Sequence, residues 1–108
     1  MKFDVSVLRR ASADADQILK WIADRSPQGA AHWGRVYDES ILELRRDADR
    51  HGVAPESTSV GMAIRQKLFR TRRGRPYRLL YTIVGSKVRV LRVRGPGQAP
   101  VTRDDLCE

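Results

Sequence analysis

The sequence predicts an α+β domain of two layers, ordered β-α-α-β-β-β, with an antiparallel helical hairpin packed on a small, mostly antiparallel sheet. Three observations predict it. Residues 3–7 alternate apolar and polar side chains, as a short strand does. Residues 12–50 repeat apolar side chains every three or four positions, broken only at Ser26-Pro27. Residues 63–94 contain three apolar runs of strand length separated by glycine-containing turns. A chain of 108 residues and 41% hydrophobic content is sized for one domain, expected to span residues 1–108, with a real core.

The elements follow in order. Phe3, Val5 and Val7 mark the first strand, which Arg9 and Arg10 close. Ser12 is a candidate cap for the first helix, because its hydroxyl can accept from the free N–H groups of a first turn. Asp14 and Asp16 then suit the positive end of the helix dipole. Ala15, Ile18, Leu19 and Ile22 form its apolar stripe. Ser26 caps a second helix with Pro27 at its first position, where the missing N–H costs nothing. Ala30, Trp33, Tyr37, Ile41 and Leu44 are the stripe of this helix, which should run to about Arg50. Residues 51–61, with Gly52, Pro55, Ser57, Thr58 and Ser59, read as a loop. Strands are expected at 63–70, 77–84 and 87–94, the second central because it is the most apolar. Gly85-Ser86 is a two-residue hairpin turn with glycine first. Gly95-Pro96-Gly97 ends the sheet, and Thr102 with Asp104 and Asp105 is placed to cap a short terminal turn.

Several function classes drop out on composition. No stretch approaches the eighteen apolar residues of a membrane span, and Asp4 interrupts any signal-peptide core. The single cysteine, Cys107, excludes an internal disulfide and a multi-cysteine metal site, and the expected compartment is the reducing cytoplasm. Acids near Cys107 raise its thiol pKa, so it reads as inert. His32 and His51 have no ligand at metal spacing, so no metal and no cofactor is expected. His51 reads as a favourable charge at a helix C-terminus.

Charge is distributed unevenly. Residues 1–56 hold nine Lys/Arg and ten Asp/Glu, whereas residues 57–103 hold twelve Lys/Arg and no acid. Residues 104–108 carry three acids. The net charge of +8 thus belongs to the C-terminal half, whose expected counterpart is an anionic partner. Strand alternation puts Arg65 with Lys67 on one face and Arg92 with Arg94 on another strand's face. If Arg78 shares that face, the five side chains form a phosphate-binding cluster, since guanidinium forks bind phosphate bidentately. The alternative is a solvated basic surface whose arginine stems cover the sheet. Trp21 and Trp33 lie beside the helix stripes and read either as core or as a dock for an amphipathic partner segment.

The chain also resembles a known superfamily over almost its whole length. The residues that carry the likeness are Ala13, Asp16, Ile18 and Trp21-Ile22 in the first helix, and Ala30 and Trp33 in the second. Ile64-Arg65, Gly74-Arg75-Pro76-Tyr77-Arg78-Leu79-Leu80-Tyr81 and Val88-Arg89-Val90-Leu91-Arg92-Val93-Arg94 complete it. With these residues the chain resembles the RelE/ParE superfamily of toxins from bacterial type II toxin–antitoxin modules. The resemblance implies a toxin held silent by a small cognate antitoxin in a hetero-oligomer, with Trp21, Trp33 and Arg75 as antitoxin-binding candidates. RelE-like members cut messenger RNA on the ribosome, and ParE-like members poison DNA gyrase.

The residues bear on that choice. Cleaving RNA by internal transfer needs a base for the 2′-hydroxyl and an acid for the leaving oxygen. No His, Asp or Glu lies between Ser57 and Arg103. Lys67, Lys87, Tyr77 and Tyr81 remain, and a nuclease would have to use Lys67 with Arg65, Arg78 and Arg94. RelE-like nucleases often place a His or Tyr after the last strand, where this chain has Gly95-Pro96-Gly97-Gln98. The expectation is therefore a ParE-like gyrase inhibitor, with a ribosome-dependent messenger-RNA endonuclease or a non-toxic antitoxin-binding module as the alternatives.

Overall fold

The computed structural model describes residues 2–72 and 74–106, so Arg73, Cys107 and Glu108 and the readings made of them lie outside the described residues. The order is β1 (Asp4–Val7), α1 (Arg9–Ala23), α2 (Pro27–Asp47), a 3-10 turn (Ala48–Arg50), α3 (Glu56–Val60), β2 (Arg65–Phe69), β3 (Tyr77–Val84), β4 (Lys87–Arg94) and a 3-10 turn (Asp104–Leu106). One sheet runs β1-β4-β3-β2. Its β4-β3 and β3-β2 pairs are antiparallel, and β1 joins β4 in parallel. The α+β, mostly antiparallel expectation holds.

The helices cover one sheet face. Ser26 caps α2 by accepting from the N–H of Gly29 at 2.9 Å, with Pro27 in the first turn, as its sequence predicts. The start of α1 differs: the helix begins at Arg9, and Leu8 is the extended residue before it, with no side-chain cap. Ser12 instead sits one turn inside, its N–H donating to the Leu8 carbonyl at 3.0 Å. The physical reason is packing. Ala11 and Ala15 are buried, and an earlier start brings this small-residue stripe down onto the sheet. Trp33 lies at the centre of the core with Leu44, Leu79, Tyr81, Val88, Val90 and Val93. It stacks on Tyr37 at 5.2 Å and meets Phe69 and Tyr77 at 5.6 and 5.4 Å. The Tyr81 hydroxyl donates to the Ala48 carbonyl at 2.6 Å, which satisfies it inside the core.

The opposite face is also covered over part of its area, which corrects the reading of 51–61 as plain loop. Residues 56–60 form α3, ended by Gly61 in the left-handed conformation (φ 77°) that favours glycine. Ala54, Val60 and Ile64 from this segment, Leu80 and Leu91 from the sheet and Val101 from the C-terminal segment make a second, smaller core. Strands β3 and β4 match expectation, and Gly85 opens their hairpin turn with φ 62°. One feature breaks the alternation: Leu80 faces Arg92 but Tyr81 faces Val90, so Leu91 is an extra residue in a β-bulge. The bulge turns Leu91 to the outer core and sends Val93 to the helix-covered core.

Candidate functional site

Register decides where the basic side chains go. Lys67 lies opposite Leu79 and Arg65 opposite Tyr81, so both share the helix-covered side with the main core. Arg78 lies opposite Leu68 and Arg94, and Leu80 opposite Arg92, which puts Arg78, Arg92 and Arg94 on the outer side. The expected five-residue cluster is therefore divided by the sheet. With a side-chain period of two, odd-numbered Arg65 and Lys67 pair with odd-numbered positions of β3, and Arg78 falls between them.

Each group is engaged within the fold. Lys67 is 5% exposed, and its ammonium donates to Glu43 at 2.8 Å and Asp47 at 3.2 Å on α2. The same Asp47 oxygen lies 3.2 Å from Nε2 of His51. Arg65 donates to the His51 carbonyl at 2.6 Å, closing the chain that leaves α2. On the outer side Arg78 holds Glu56 bidentately at 2.8 and 2.6 Å. Glu56 is 3% exposed and also accepts from the N–H of Val101 at 3.2 Å. The Arg78 guanidinium holds the Glu56 carboxyl down to about 2 against the opposing effect of burial. Arg92 clasps Asp14 of α1 at 2.7 and 2.8 Å, and Asp14 also accepts from the N–H of Val93. Part of the charge of the acid-free half is thus met inside the fold. The counter-charges of Lys67, Arg78 and Arg92 come from α1, α2, α3 and the C-terminal turn, acids remote in sequence and adjacent in space.

Glu56 and Asp14 are the residues that sequence reasoning missed as partners. The available signal was position: Glu56 is the last acid before the acid-free segment. Asp14 had a second explanation, as a dipole partner, that its place in the second turn of α1 removes. The exposed cations without an ion pair among the described residues include Arg70, Arg72 and Arg75 on the β2–β3 loop, and Lys87 and Arg89 by the β3–β4 hairpin, at opposite ends of the sheet.

Trp21, Trp33 and Arg75 come together around two adjoining concavities. The first, about 440 Å³, is lined by Ile18, Trp21, Tyr77, Val93 and Pro96 together with Asp14 and Gln17. The second, about 300 Å³, shares Tyr77 and Pro96 and continues past Ile22, Trp33 and Gly74 to Arg75. The two tryptophans have different parts in it. Trp33 is 1% exposed and is core, with only an edge toward the second hollow. Trp21 is 57% exposed, with the Arg25 guanidinium 3.8 Å from its ring centre. Among the described residues no cluster of three or more His, Cys, Asp or Glu could hold a metal, and no helix is long and apolar enough to cross a membrane.

Comparison with known proteins gives the same outline. Residues 5–100 match the family model described as the ParE toxin of the parDE type II toxin–antitoxin system. Toxin RelE1 of Caulobacter vibrioides is 30% identical over 94 residues, covering 86% of this chain and 92% of that protein. A solved structure of the chromosomal ParDE system from P. aeruginosa superposes with a TM-score of 0.67 at 19% identity, over 87% of this chain and 96% of that one, a likeness of fold. The chain therefore belongs to the ParE toxin family of type II toxin–antitoxin systems, within the RelE/ParE superfamily.

Proposed function

We propose that the protein arrests growth by inhibiting DNA gyrase and that a small cognate antitoxin silences it by binding along the Trp21–Tyr77–Arg75 groove. One observation carries the choice of target: the four side chains a nuclease would have to use are divided between the two sides of the sheet. Internal transfer at one phosphodiester needs its base and its acid on opposite flanks of the same phosphorus. Lys67 and Arg65 on one side and Arg78 and Arg94 on the other do not surround one phosphate. Lys67, the one candidate base among them, is also buried and tied to Glu43 and Asp47 at 2.8 and 3.2 Å. Inhibition by binding asks for no such convergence, only for an exposed surface, which Arg70, Arg72 and Arg75 or Lys87 and Arg89 supply. For the antitoxin, the half-exposed indole of Trp21 and the neighbouring Arg25 and Arg75 suit a segment that alternates apolar anchors with acids.

The test is a short induction in growing bacteria, following thymidine and amino-acid incorporation in parallel. DNA synthesis should stop first, and purified protein should inhibit gyrase supercoiling. If protein synthesis stops first and transcripts acquire new ends, the messenger-RNA endonuclease reading replaces this one. No arrest at all leaves a binding module without toxicity. For the groove, Trp21→Ala should weaken antitoxin binding at least tenfold with little change in stability, because a half-exposed aromatic anchor contributes at an interface what it does not contribute to the core. An unchanged dissociation constant would place the antitoxin elsewhere.

A further inference from the structure

Helix α2 turns Trp33, Tyr37 and Leu44 to the core, but Leu42 points outward and is 59% exposed. It borders a hollow of about 440 Å³ between α2 and the edge strand β1, which Val5 and Ile41 also line. This hollow shares no lining residue with the Trp21–Tyr77–Arg75 groove. A single exposed leucine is ordinary on a protein surface. The charges arranged around this one are not.

On a helix, the residues three and four positions to either side share the face of the central one. Before Leu42 these are Asp38 and Glu39, both acids, and after it Arg45 and Arg46, both bases. One further turn away the signs invert again, with Arg35 before and Asp49 after, the latter in the 3-10 turn that continues α2. All six residues are exposed, and none has an ion pair among the described residues. Arg35 with Glu39 and Arg45 with Asp49 lie at the spacing of intrahelical pairs, yet those pairs do not form. The face therefore inverts its charge about Leu42, and every charge on it has its opposite at the mirror position.

We propose that this face binds a second copy of the chain, with the two α2 helices antiparallel and the two Leu42 side chains meeting at the two-fold axis. Such an axis sets each residue before Leu42 against one after it in the other copy, and every contact occurs twice. Arg45 then meets the second copy's Asp38, Arg46 its Glu39 and Arg35 its Asp49. Parallel helices would set arginine against arginine, so the charge pattern selects one orientation. The two hollows adjoin across the axis, and their apolar lining of Val5, Ile41 and Leu42 is shielded from water. Exposed charge pairs contribute little singly, so the leucines supply attraction and the charges supply register. The Trp21 groove stays open in this dimer, and the inference does not depend on which cellular target is poisoned.

The test is sedimentation of the purified full chain between about 1 and about 100 μM, with two charge variants beside it. The native chain should pass from monomer to dimer over that range. Raising salt from about 0.05 to about 0.5 M should weaken the dimer several-fold. Asp38→Arg with Glu39→Arg makes both sides of Leu42 basic, and Arg45→Glu with Arg46→Glu makes both sides acidic. Each variant alone should dimerise about tenfold more weakly, and an equimolar mixture should recover a dimer containing one chain of each. A native chain that stays monomeric, variants that dimerise as the native chain does, or a mixture that stays monomeric overturns the proposal. Should a variant not fold, backbone resonances of the native chain decide. On dilution those of residues 35–49 should move, and movement confined to another surface overturns the dimer. A monomer whose antitoxin affinity falls in Leu42→Lys gives the face to the antitoxin and overturns it too.

Discussion

The two sides of the sheet solve one problem by different means. On the helix-covered side two long helices supply bulk, and an aromatic cluster around Trp33 closes the interior. On the outer side the cover is a five-residue helix and a C-terminal segment, too short to bring much apolar mass. Arginine stems fill the difference there, and their heads are tied to Glu56, Asp14 and the C-terminal turn. The same basic strand pair that reads as a binding surface in sequence is thus largely a set of clasps. Packing holds one side of the sheet and charge holds much of the other.

The sharpest way to break the contrast is to remove its two centres. Trp33→Ala should cost about 4 kcal/mol, since truncating a buried aromatic loses its transfer energy and leaves a cavity. Glu56→Gln should cost about 3 kcal/mol by leaving the partly buried Arg78 guanidinium without its carboxylate. Urea unfolding of both variants checks the pair, and a Glu56→Gln cost below about 1 kcal/mol would make the outer clasp ornamental.

The two sides should also separate by pH. Glu56 titrates lower in the folded chain, about 2, than its ordinary value of 4.5. Its contribution is therefore complete above the ordinary value and is lost as pH falls through the interval between the two. The shift corresponds to about 3 kcal/mol. Urea midpoints measured from pH 6 down to pH 2.5 should fall in the native chain, and the part due to Glu56 should vanish in Glu56→Gln.

The smallest expected effect sharpens the account of Lys67. Replacing it by Met keeps the stem and discards an ion pair whose partners Glu43 and Asp47 are 50% and 28% exposed. Because those carboxylates can be rehydrated, the change should be within about 1 kcal/mol. Growth arrest should survive it as well. Lost toxicity in a folded Lys67→Met protein would restore the nuclease reading.

Much of this was legible from residues alone. Ser26-Pro27 dictates the start of α2 because hydroxyl cap and proline act locally, and Gly85 dictates its hairpin turn for the same reason. Tyr77–Val84 and Lys87–Arg94 are strands by composition and alternation. The likeness to the toxin superfamily was equally readable, since it rests on residues spread along the chain. The start of α1 was not, because the burial of Ala11 and Ala15 against the sheet outweighs the weak preference of a serine cap. Nor was the short helix 56–60, whose residues have poor helix propensity and are held by Val60 and Glu56 packing beneath them.

The candidate site divides along the same line. By itself the sequence determined that cations crowd the C-terminal half and that no acid lies among them, and its resemblance to the superfamily named Trp21, Trp33 and Arg75 as antitoxin-binding candidates. Tertiary structure alone decided which cations are spoken for. A period-two strand sends neighbouring residues to opposite sides, so a single step of register separates Lys67 from Arg78, and the Leu91 bulge brings Arg92 and Arg94 to the side of Arg78. Only the folded chain brings Asp14, Glu56 and Asp105, distant in sequence, within reach of those arginines. Coulombic pairing depends on separation in space, and sequence distance carries almost none of that information.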